Sequence, residues 1–137
     1  DLAVAARRTV EQLSQFHPVA VLRSEPVAVE GNPEAFDQAL VHLVQNAIDA
    51  SDTNSSVMVE VYSDGMSGKV TVIDNGHGIE QERLERIFEP KFTTKTHGLG
   101  LGLAMVRAIV QAAKGSISVA SSHGKGTTFT VRLPLRP

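Results

Sequence analysis

The sequence predicts an α/β fold of the α+β type, a two-layer sandwich in which three main helices pack on one face of a mixed, mostly antiparallel sheet. Segments with apolar residues at helical spacing alternate with pairs of short strands, rather than following strict β-α-β order. The 137 residues are enough for one hydrophobic core, and no repeat or linker divides them. We therefore expect residues 1–137 to form a single domain, with the other sheet face left to solvent or to a partner.

The first half of the chain is predicted to contain two helices with two short strands between them. Residues 2–14 have apolar side chains at helical spacing, and residues 19–22 and 27–29 are strand candidates. The second helix is predicted to begin at Pro33, with Asn32 as its N-cap, and to run to about residue 51.

In the second half, two strand hairpins are predicted on either side of a helical region. Residues 57–62 and 69–74 are strands joined by the turn Ser-Asp-Gly-Met-Ser-Gly. A short helix over residues 80–87 precedes a polar, poorly periodic loop that runs from residue 88 to about residue 98. The remaining predicted elements are a helix over residues 101–113 and closing strands over residues 117–120 and 127–133.

Composition and charge exclude several classes of function. The net charge of −2 does not favour non-specific binding to nucleic acid or to an anionic membrane. The absence of cysteine excludes disulfides, thiolate metal sites and thiol catalysis. No apolar run approaches the roughly 20 residues of a membrane span, so we expect a cytoplasmic domain without direct membrane contact. Because the chain opens on Asp1 rather than on methionine, we expect it to be a piece of a longer protein, which can itself be anchored in a membrane.

The most informative segment is residues 72–79, Val-Ile-Asp-Asn-Gly-His-Gly-Ile. The apolar residues favour a buried strand that ends on Asp74, whose carboxylate can accept a hydrogen bond from an amino group on a flat ring. Gly76 and Gly78 allow the backbone to turn tightly and to approach a ligand closely. An ordinary tight turn has the same D-x-G-x-G pattern, so the interpretation depends on the motifs around it.

A second polar cluster lies on the helix that is predicted to end near residue 51. His42 and Asp49 lie about one turn from Asn46 on either side, so the three side chains can share one helix edge. The side-chain oxygen of Asn46 is a hard, neutral ligand suited to Mg²⁺, which keeps several waters and binds substrate phosphates. The alternative is that Asn46 faces solvent or caps a loop.

A third region, residues 88–102, combines glycines with lysines and aromatic residues. Its glycines at positions 98, 100 and 102 lead into a helix, where backbone N–H groups and the positive end of the helix dipole suit phosphate. Lys91 and Lys95 can reach phosphate oxygens, and Phe88 and Phe92 can anchor the segment on the domain or on a partner. A flexible hinge without a ligand and a solvated charged loop are the alternatives.

Together these pieces predict a nucleotide pocket in which Asp74 reads the base, Asn46 holds Mg²⁺ and the glycines wrap the phosphates. Residues 88–97 would close as a lid, and we expect residues 88–98 to be mobile without nucleotide because they are polar and flanked by glycine. No GxxxxGK[ST] motif is present, which excludes a Walker P-loop. The glycines at 98 and 100 follow a loop rather than a strand, which excludes a dinucleotide-binding fold.

The order of these motifs resembles the catalytic, ATP-binding domain of a bacterial sensor histidine kinase, a member of the GHKL ATPase superfamily. Residues 43–50 resemble the N box, residues 74–79 the G1 box and residues 98–104 the G2 box, and residues 87–90 with 92–95 resemble the F box. The resemblance covers nearly the whole chain and implies a GHKL-type fold with an ATP lid. The closing hairpin is matched by Gly115, Gly124, Gly126, Thr127, Phe129, Leu133 and Pro134.

The resemblance implies roles for particular residues. Asp74 would accept a hydrogen bond from the adenine amino group, and Asn46 would bind Mg²⁺ that bridges the phosphates of ATP. Asn46, His42 and Lys95 would be the catalytic residues. The nucleotide-binding residues would be Asn46, Asp49, Ala50, Asp74, Gly76, Gly78, Ile79, Phe88, Thr93, Thr94, Lys95, Gly98, Leu99, Gly100, Leu101, Gly102 and Thr127.

The implied activity is that of a protein-histidine kinase in two-component signal transduction, which passes the γ-phosphoryl group of Mg-ATP to a histidine on a separate dimerisation hairpin. None of the five histidines has the family's acceptor motif, so we expect the chain to bind nucleotide but not to phosphorylate itself. The acceptor hairpin is expected N-terminal to Asp1, and a response regulator receiver domain is the second expected partner. The isolated domain is expected to be a monomer that binds no nucleic acid.

Three positions depart from the family pattern. His42 stands where sensor kinases usually carry a second asparagine and where hydrolases of the superfamily carry a water-activating glutamate. Lys91 stands where an aromatic is frequent, and Leu99 replaces a common threonine or serine. His42 can contact a phosphate or a metal-bound water, or pack in the core. A regulatory nucleotide-binding module without transfer activity, a stand-alone GHKL ATPase and a serine-directed kinase remain alternatives, although the ATPase lacks a carboxylate at position 42.

Overall fold

Four helices and five strands make up the part of the chain that the computed structural model describes, which is residues 1–14, 18–51, 56–84, 86–89, 102–122 and 124–136. The helices are α1 (Leu2–Leu13), α2 (Pro33–Ala50), α3 (Gln81–Leu84) and α4 (Gly102–Ala112). The strands are β1 (Val19–Ser24), β2 (Val57–Ser63), β3 (Ser67–Asp74), β4 (Ser116–Ser122) and β5 (Gly126–Pro134). None of the described helices combines the length and the apolar character needed to cross a membrane.

The five strands form one mixed sheet in the order β1-β2-β3-β5-β4. β1 and β2 are parallel, and the other three neighbouring pairs are antiparallel. This arrangement confirms the predicted mixed, mostly antiparallel sheet. The register places Asp74 of β3 opposite Thr127 of β5, and Thr127 opposite Ser121 of β4, so three polar side chains meet at one end of the sheet.

Helices α1, α2 and α4 form the second layer and cover one face of the sheet, as predicted. α2 is central, because it packs against α1, α4 and β3. The strands alternate, so that every second side chain is buried beneath the helices. The buried strand residues of this core are Val57, Val59 and Val61 on β2, Val70 and Val72 on β3, and Phe129, Val131 and Leu133 on β5.

The start of α2 matches its prediction. Pro33 is the first helical residue, and the side chain of Asn32 accepts hydrogen bonds from the backbone N–H groups of Glu34 at 2.9 Å and Ala35 at 3.3 Å. These bonds satisfy two of the N–H groups that have no partner inside the helix. The cap thereby fixes where the helix that carries His42 and Asn46 begins.

Replacing Asn32 with alanine is expected to lower the free energy of unfolding by about 1 kcal/mol, because both capping bonds are lost. Urea unfolding monitored by circular dichroism measures this change. Gln38→Ala, at an exposed position of the same helix, is the matched control and should leave the midpoint unchanged. Equal midpoints for Asn32→Ala and wild type would contradict the capping role.

The predicted strand over residues 27–29 is wrong. This segment does not join the sheet, and only Val29 makes an isolated bridge, to Leu135. The carbonyl oxygen of Val27 instead accepts from the backbone N–H of Leu2 at 2.9 Å, and its N–H donates to the Asp1 side chain at 3.1 Å. The backbone groups of this segment are therefore used to hold the N-terminus of α1, rather than to pair with a strand.

Two element boundaries also differ from the prediction. The turn between β2 and β3 is shorter than predicted, because Ser63 ends β2 and Ser67 already belongs to β3. The Asp64 side chain closes this turn by accepting from the N–H groups of Met66 at 2.9 Å and Ser67 at 2.7 Å. The predicted helix over residues 80–87 is confirmed only for Gln81–Leu84, and residues 86–89 form turns.

Candidate functional site

Asp74 is the last residue of β3 and is buried, with 4% of the residue exposed. Its Oδ1 atom accepts a hydrogen bond from the backbone N–H of Gly76 at 2.9 Å, and the backbone N–H of Thr127 also donates to the side chain. Burial raises the pKa of Asp74, and the two hydrogen bonds and the charge of His77 oppose that rise. The backbone thus fixes a buried carboxylate that still has lone pairs for a ligand donor.

The loop after β3 lies directly against the C-terminal end of α2. A Cβ atom at Gly76 would overlap the carbonyl oxygen of Ala50 and lie 2.6 Å from its carbonyl carbon, so a side chain does not fit here. The next residue, His77, donates its backbone N–H to the same Ala50 oxygen at 3.3 Å. This close approach brings Asp74 beside the last turns of α2.

The same loop is also fastened to the hairpin of β4 and β5. The carbonyl oxygen of His77 accepts from the backbone N–H of Gly124 at 2.6 Å, and the N–H of Ile79 donates to the Ser121 hydroxyl at 2.8 Å. Gly78 between them has a φ of +74°, a conformation that favours glycine. The loop is therefore bonded to α2 on one side and to the hairpin on the other, which makes a fixed frame around the carboxylate.

The polar edge of α2 meets the start of α4. Asn46 and His42 lie one turn apart on α2, and both are half-buried. The ring of His42 packs against the first residue of α4, since a Cβ atom at Gly102 would lie 3.2 Å from His42 Nδ1. Asp49 is exposed and accepts a hydrogen bond from Gln45 at 3.0 Å. The structure thus brings two of the predicted motifs into contact through His42, whose role toward a ligand stays a prediction.

Phe88, at the start of the predicted lid, is anchored on the core. Its ring meets the ring of Phe129 edge-on, with a centroid distance of 6.3 Å and an interplanar angle of 86°. The guanidinium carbon of Arg107 on α4 lies 5.6 Å from the centroid of the Phe88 ring. These contacts confirm the predicted anchoring on the domain for this residue. A contact between Phe88 and a nucleotide stays a prediction.

The structure brings six of the predicted nucleotide-binding residues together at one end of the sheet. They are Ala50, Asp74, Gly76, Gly78, Ile79 and Thr127. Most of the predicted lid lies outside the described residues, so its roles and its predicted mobility stay predictions. The predicted residues concerned are Lys91, Phe92, Thr93, Thr94, Lys95, Gly98, Leu99, Gly100 and Leu101.

Ser121 is a part of the site that the sequence analysis missed. Its Oγ atom lies 2.9 Å from the carbonyl oxygen of Gly126 and 2.8 Å from Thr127 Oγ1, in addition to its bond with Ile79. The alternation of side chains along β4 could have predicted its place in the site. Residues at every second position share one sheet face, so Ser121 follows the apolar Ile117 and Val119 as a polar residue on the helix-covered face.

The oxygen donors of the site suit a hard cation that binds few protein groups. Within the described ranges, no cluster of three or more His, Cys, Asp or Glu side chains could hold a metal ion. The side-chain oxygen of Asn46 is a neutral ligand, which Mg²⁺ accepts when phosphate and water supply most of its coordination. The donor chemistry of α2 therefore fits Mg²⁺ that arrives with a nucleotide.

The sandwich, the buried carboxylate at a strand end and the glycine loop locked onto α2 define a class, that of the GHKL-type ATP-binding domains. The chain belongs to the histidine kinase-, DNA gyrase B- and HSP90-like ATPase family, whose model matches residues 31–137. This membership confirms the resemblance to the catalytic domain of sensor histidine kinases.

The chain is similar to named sensor histidine kinases both in sequence and in structure. The sensor histidine kinase ZraS of Escherichia coli K12 is 43% identical over 107 residues, which cover 78% of this chain and 23% of ZraS. The chain thus spans about a quarter of the length of this curated relative. The solved mycobacterial sensor histidine kinase MprB superposes with a TM-score of 0.87 at 26% identity, covering 100% of this chain and 97% of that one. Full-length ShkA in complex with AMPPNP has a TM-score of 0.85 at 26% identity, covering 98% and 30% respectively.

Proposed function

We propose that this chain binds Mg-ATP and donates the γ-phosphoryl group to a histidine on the helical hairpin of a separate dimerisation domain. The observation that carries the proposal is the buried Asp74 carboxylate, held beside α2 by the contact between Gly76 and Ala50. Such an acceptor matches the amino group of adenine. The similarity to the sensor histidine kinase ZraS, and to full-length ShkA, which was solved in complex with the ATP analogue AMPPNP, supports the proposal.

In this proposal the chain acts mainly by positioning the nucleotide. Asp74 would fix the base, and Asn46 would hold Mg²⁺, which would neutralise the charge of the phosphates. His42 lies beside the N-terminus of α4, where backbone N–H groups and the helix dipole favour phosphate. His42 would therefore contact phosphate oxygens. Lys95, as the sequence predicts, would contact them as well, and the predicted glycine lid would cover the phosphates.

The transfer step needs no covalent intermediate on this chain. The bond between the γ-phosphorus and the bridging oxygen to the β-phosphate breaks, and a bond from the γ-phosphorus to an imidazole nitrogen of the acceptor forms. ADP leaves with the bridging oxygen, and the acceptor ring releases its proton to solvent. Because such a transition state is stabilised by alignment and by charge neutralisation, few catalytic side chains are needed.

The proposed partners follow from the proposed activity. They are the acceptor hairpin, in the same or a partner kinase, and the receiver domain of a response regulator. We propose a cytoplasmic location and a monomeric state for the isolated domain, with no nucleic-acid partner, in keeping with its net charge of −2. The curated relatives' name, sensor histidine kinase, supports a two-component system as the setting.

Asn46→Ala is expected to reduce transfer to a supplied acceptor hairpin at least about a hundredfold, because charge neutralisation at the phosphates is lost. Calorimetric titration of a non-hydrolysable ATP analogue should also lose its dependence on Mg²⁺, while ADP binding without Mg²⁺ stays at the wild-type level. Gln38→Ala, on the exposed side of the same helix, should match wild type in both assays. Wild-type transfer by Asn46→Ala would contradict the metal-binding role.

The same assays separate the proposed function from its alternatives. Phosphorylation of a supplied acceptor hairpin by the wild-type chain, dependent on Mg²⁺, is the expected result. Nucleotide binding without transfer to any supplied hairpin would instead indicate a regulatory module. Steady release of inorganic phosphate without an acceptor would indicate a stand-alone ATPase, and failure to bind any adenine nucleotide would overturn the proposal.

A further inference from the structure

Two hydroxyl groups lie in register with Asp74, one on each of the next two strands of the sheet. Ser121 of β4 stands opposite Thr127 of β5, which in turn stands opposite Asp74 of β3. Ser121 is half-buried and Thr127 is 5% exposed. Among the described residues, the Ser121 hydroxyl oxygen has three close polar neighbours, the Ile79 N–H at 2.8 Å, the Gly126 carbonyl oxygen at 2.9 Å and the Thr127 hydroxyl at 2.8 Å.

Counting hydrogens at Ser121 assigns the direction of the bond between the two hydroxyls. A serine hydroxyl has one hydrogen to donate and two lone pairs. The Ile79 N–H uses one lone pair, and the Gly126 carbonyl, which can only accept, needs the Ser121 hydrogen. The contact with Thr127 is then a hydrogen bond only if Thr127 donates. The opposite direction would leave two acceptor oxygens 2.9 Å apart with no hydrogen between them, which is unfavourable for buried groups.

This direction leaves the Thr127 hydroxyl with lone pairs alone. The neighbouring Asp74 carboxylate, when ionised, also has lone pairs alone. A pair of side chains that offers only acceptors binds an amino group and disfavours a keto oxygen, because the keto oxygen would face lone pairs without a hydrogen between them.

We propose that Ser121 is a positioning residue that sets base specificity, because it takes the hydrogen of the Thr127 hydroxyl and so leaves Thr127, like the Asp74 carboxylate, without a side-chain hydrogen to donate to the base. The inference rests on the proposed function, since it assumes that the base of an adenine nucleotide lies at Asp74. Ser121 touches no ligand in this scheme and acts through Thr127. If the Ser121 hydroxyl is removed, the Thr127 hydroxyl can rotate and donate its hydrogen to a keto oxygen.

The test compares two nucleotides that differ at this group. Calorimetric titration of the chain with ADP and with inosine diphosphate, which carries a keto oxygen in place of the amino group, gives an affinity ratio that we expect to favour ADP. Ser121→Ala should reduce this ratio about tenfold, the change that one hydrogen bond carries. Ser121→Thr, which keeps a hydroxyl, should retain the wild-type ratio. Ser118→Ala, at an exposed position of the same strand, is the matched control and should change neither affinity.

Ser121 also holds the backbone of Ile79, so a purely structural role must be distinguished. With such a role, Ser121→Ala would weaken the binding of ADP and of inosine diphosphate by the same factor. An unchanged affinity ratio would therefore overturn the inference. If Ser121→Ala does not fold, Ser121→Cys keeps the side-chain size with only a weak hydrogen-bonding group, and its ratio should fall in the same way. Failure of the wild-type chain to bind ADP would overturn the proposed function and this inference with it, whereas ADP binding with an unchanged ratio would overturn the inference alone.

Discussion

Gly76→Ala is expected to abolish nucleotide binding and to lower the free energy of unfolding by about 2 kcal/mol or more, because the added methyl group meets backbone atoms that cannot rotate away. The Cβ atom would overlap the Ala50 carbonyl oxygen and lie 3.1 Å from Asp74 Oδ1. The loop would have to leave α2, and the hydrogen bond from the His77 N–H to Ala50 would be lost. Urea unfolding and calorimetric titration with ADP measure the two effects.

Gly65→Ala provides a matched control for this prediction. Gly65 lies in the turn between β2 and β3 with a φ of +90°, and a Cβ atom there would meet no atom of the described residues within 4 Å. The variant should therefore lose about 1 kcal/mol through backbone strain alone and should bind ADP like wild type. If Gly76→Ala and Gly65→Ala bound ADP with equal affinity, the close approach of Gly76 to Ala50 would not be what positions the Asp74 carboxylate.

The elements that could be predicted from the sequence are those set by local chemistry. Asn32 and Pro33 mark the start of α2, and the predicted helix to about residue 51 corresponds to Pro33–Ala50. The two long hairpins were predicted from alternation and turn residues, and both are confirmed. In each case the decisive residues lie within a few positions of one another, so no knowledge of distant partners is needed.

Residues 27–29 show where local reasoning fails. A short apolar run has the composition of a strand, but its structure depends on which distant backbone groups bind it. Here Leu2 and Asp1 bind Val27, and Leu135 bridges Val29. Whether this segment pairs as a strand or holds the start of α1 is therefore decided by tertiary contacts, which the periodicity of the sequence does not reveal.

The candidate site was predicted residue by residue, but not its connections. Asp74, Gly76 and Gly78 stand out in the sequence because a carboxylate at a strand end followed by spaced glycines is a local pattern. The contact of Gly76 with Ala50, and the bond from Ile79 to Ser121, join positions that are far apart in the chain. A single sequence contains no record of such pairings, so the frame around the carboxylate is visible only in the structure.

Asp74→Asn is expected to change nucleotide affinity and protein stability in opposite directions. The asparagine amide keeps the size of the side chain but replaces a charged acceptor, so the affinity for ADP should fall roughly thirtyfold, the equivalent of about 2 kcal/mol for a hydrogen bond to a charged group. At the same time the variant should unfold at a higher temperature than wild type at pH 7, because a buried charge is removed. A residue that lowers the stability of the fold but supports binding is typical of a functional site.

The pH dependence gives this prediction a defined sign. Burial raises the pKa of Asp74 in the folded protein above its ordinary value of 3.8, so the folded state binds this proton more tightly than the unfolded chain does. The stability contributed by the group is complete below pH 3.8 and is lost as the pH rises through the raised pKa. The stability gained by Asp74→Asn should therefore be largest near pH 7 and should shrink as the pH falls toward 3.8.

Asp64→Asn is the control with the opposite sign. Hydrogen bonds from the N–H groups of Ser67 and Met66, with the Lys69 side chain, lower the pKa of Asp64 to about 2. This exposed carboxylate therefore contributes stability at pH values above its ordinary pKa of 3.8, and that stability is lost as the pH falls toward 2. Asp64→Asn should thus be less stable than wild type at pH 7, and it should bind ADP normally. Thermal unfolding from pH 3 to pH 8, with ADP titration at pH 7, tests both variants. An Asp74→Asn variant that is less stable than wild type at pH 7, or that binds ADP with wild-type affinity, would show that the buried carboxylate serves the fold rather than the nucleotide.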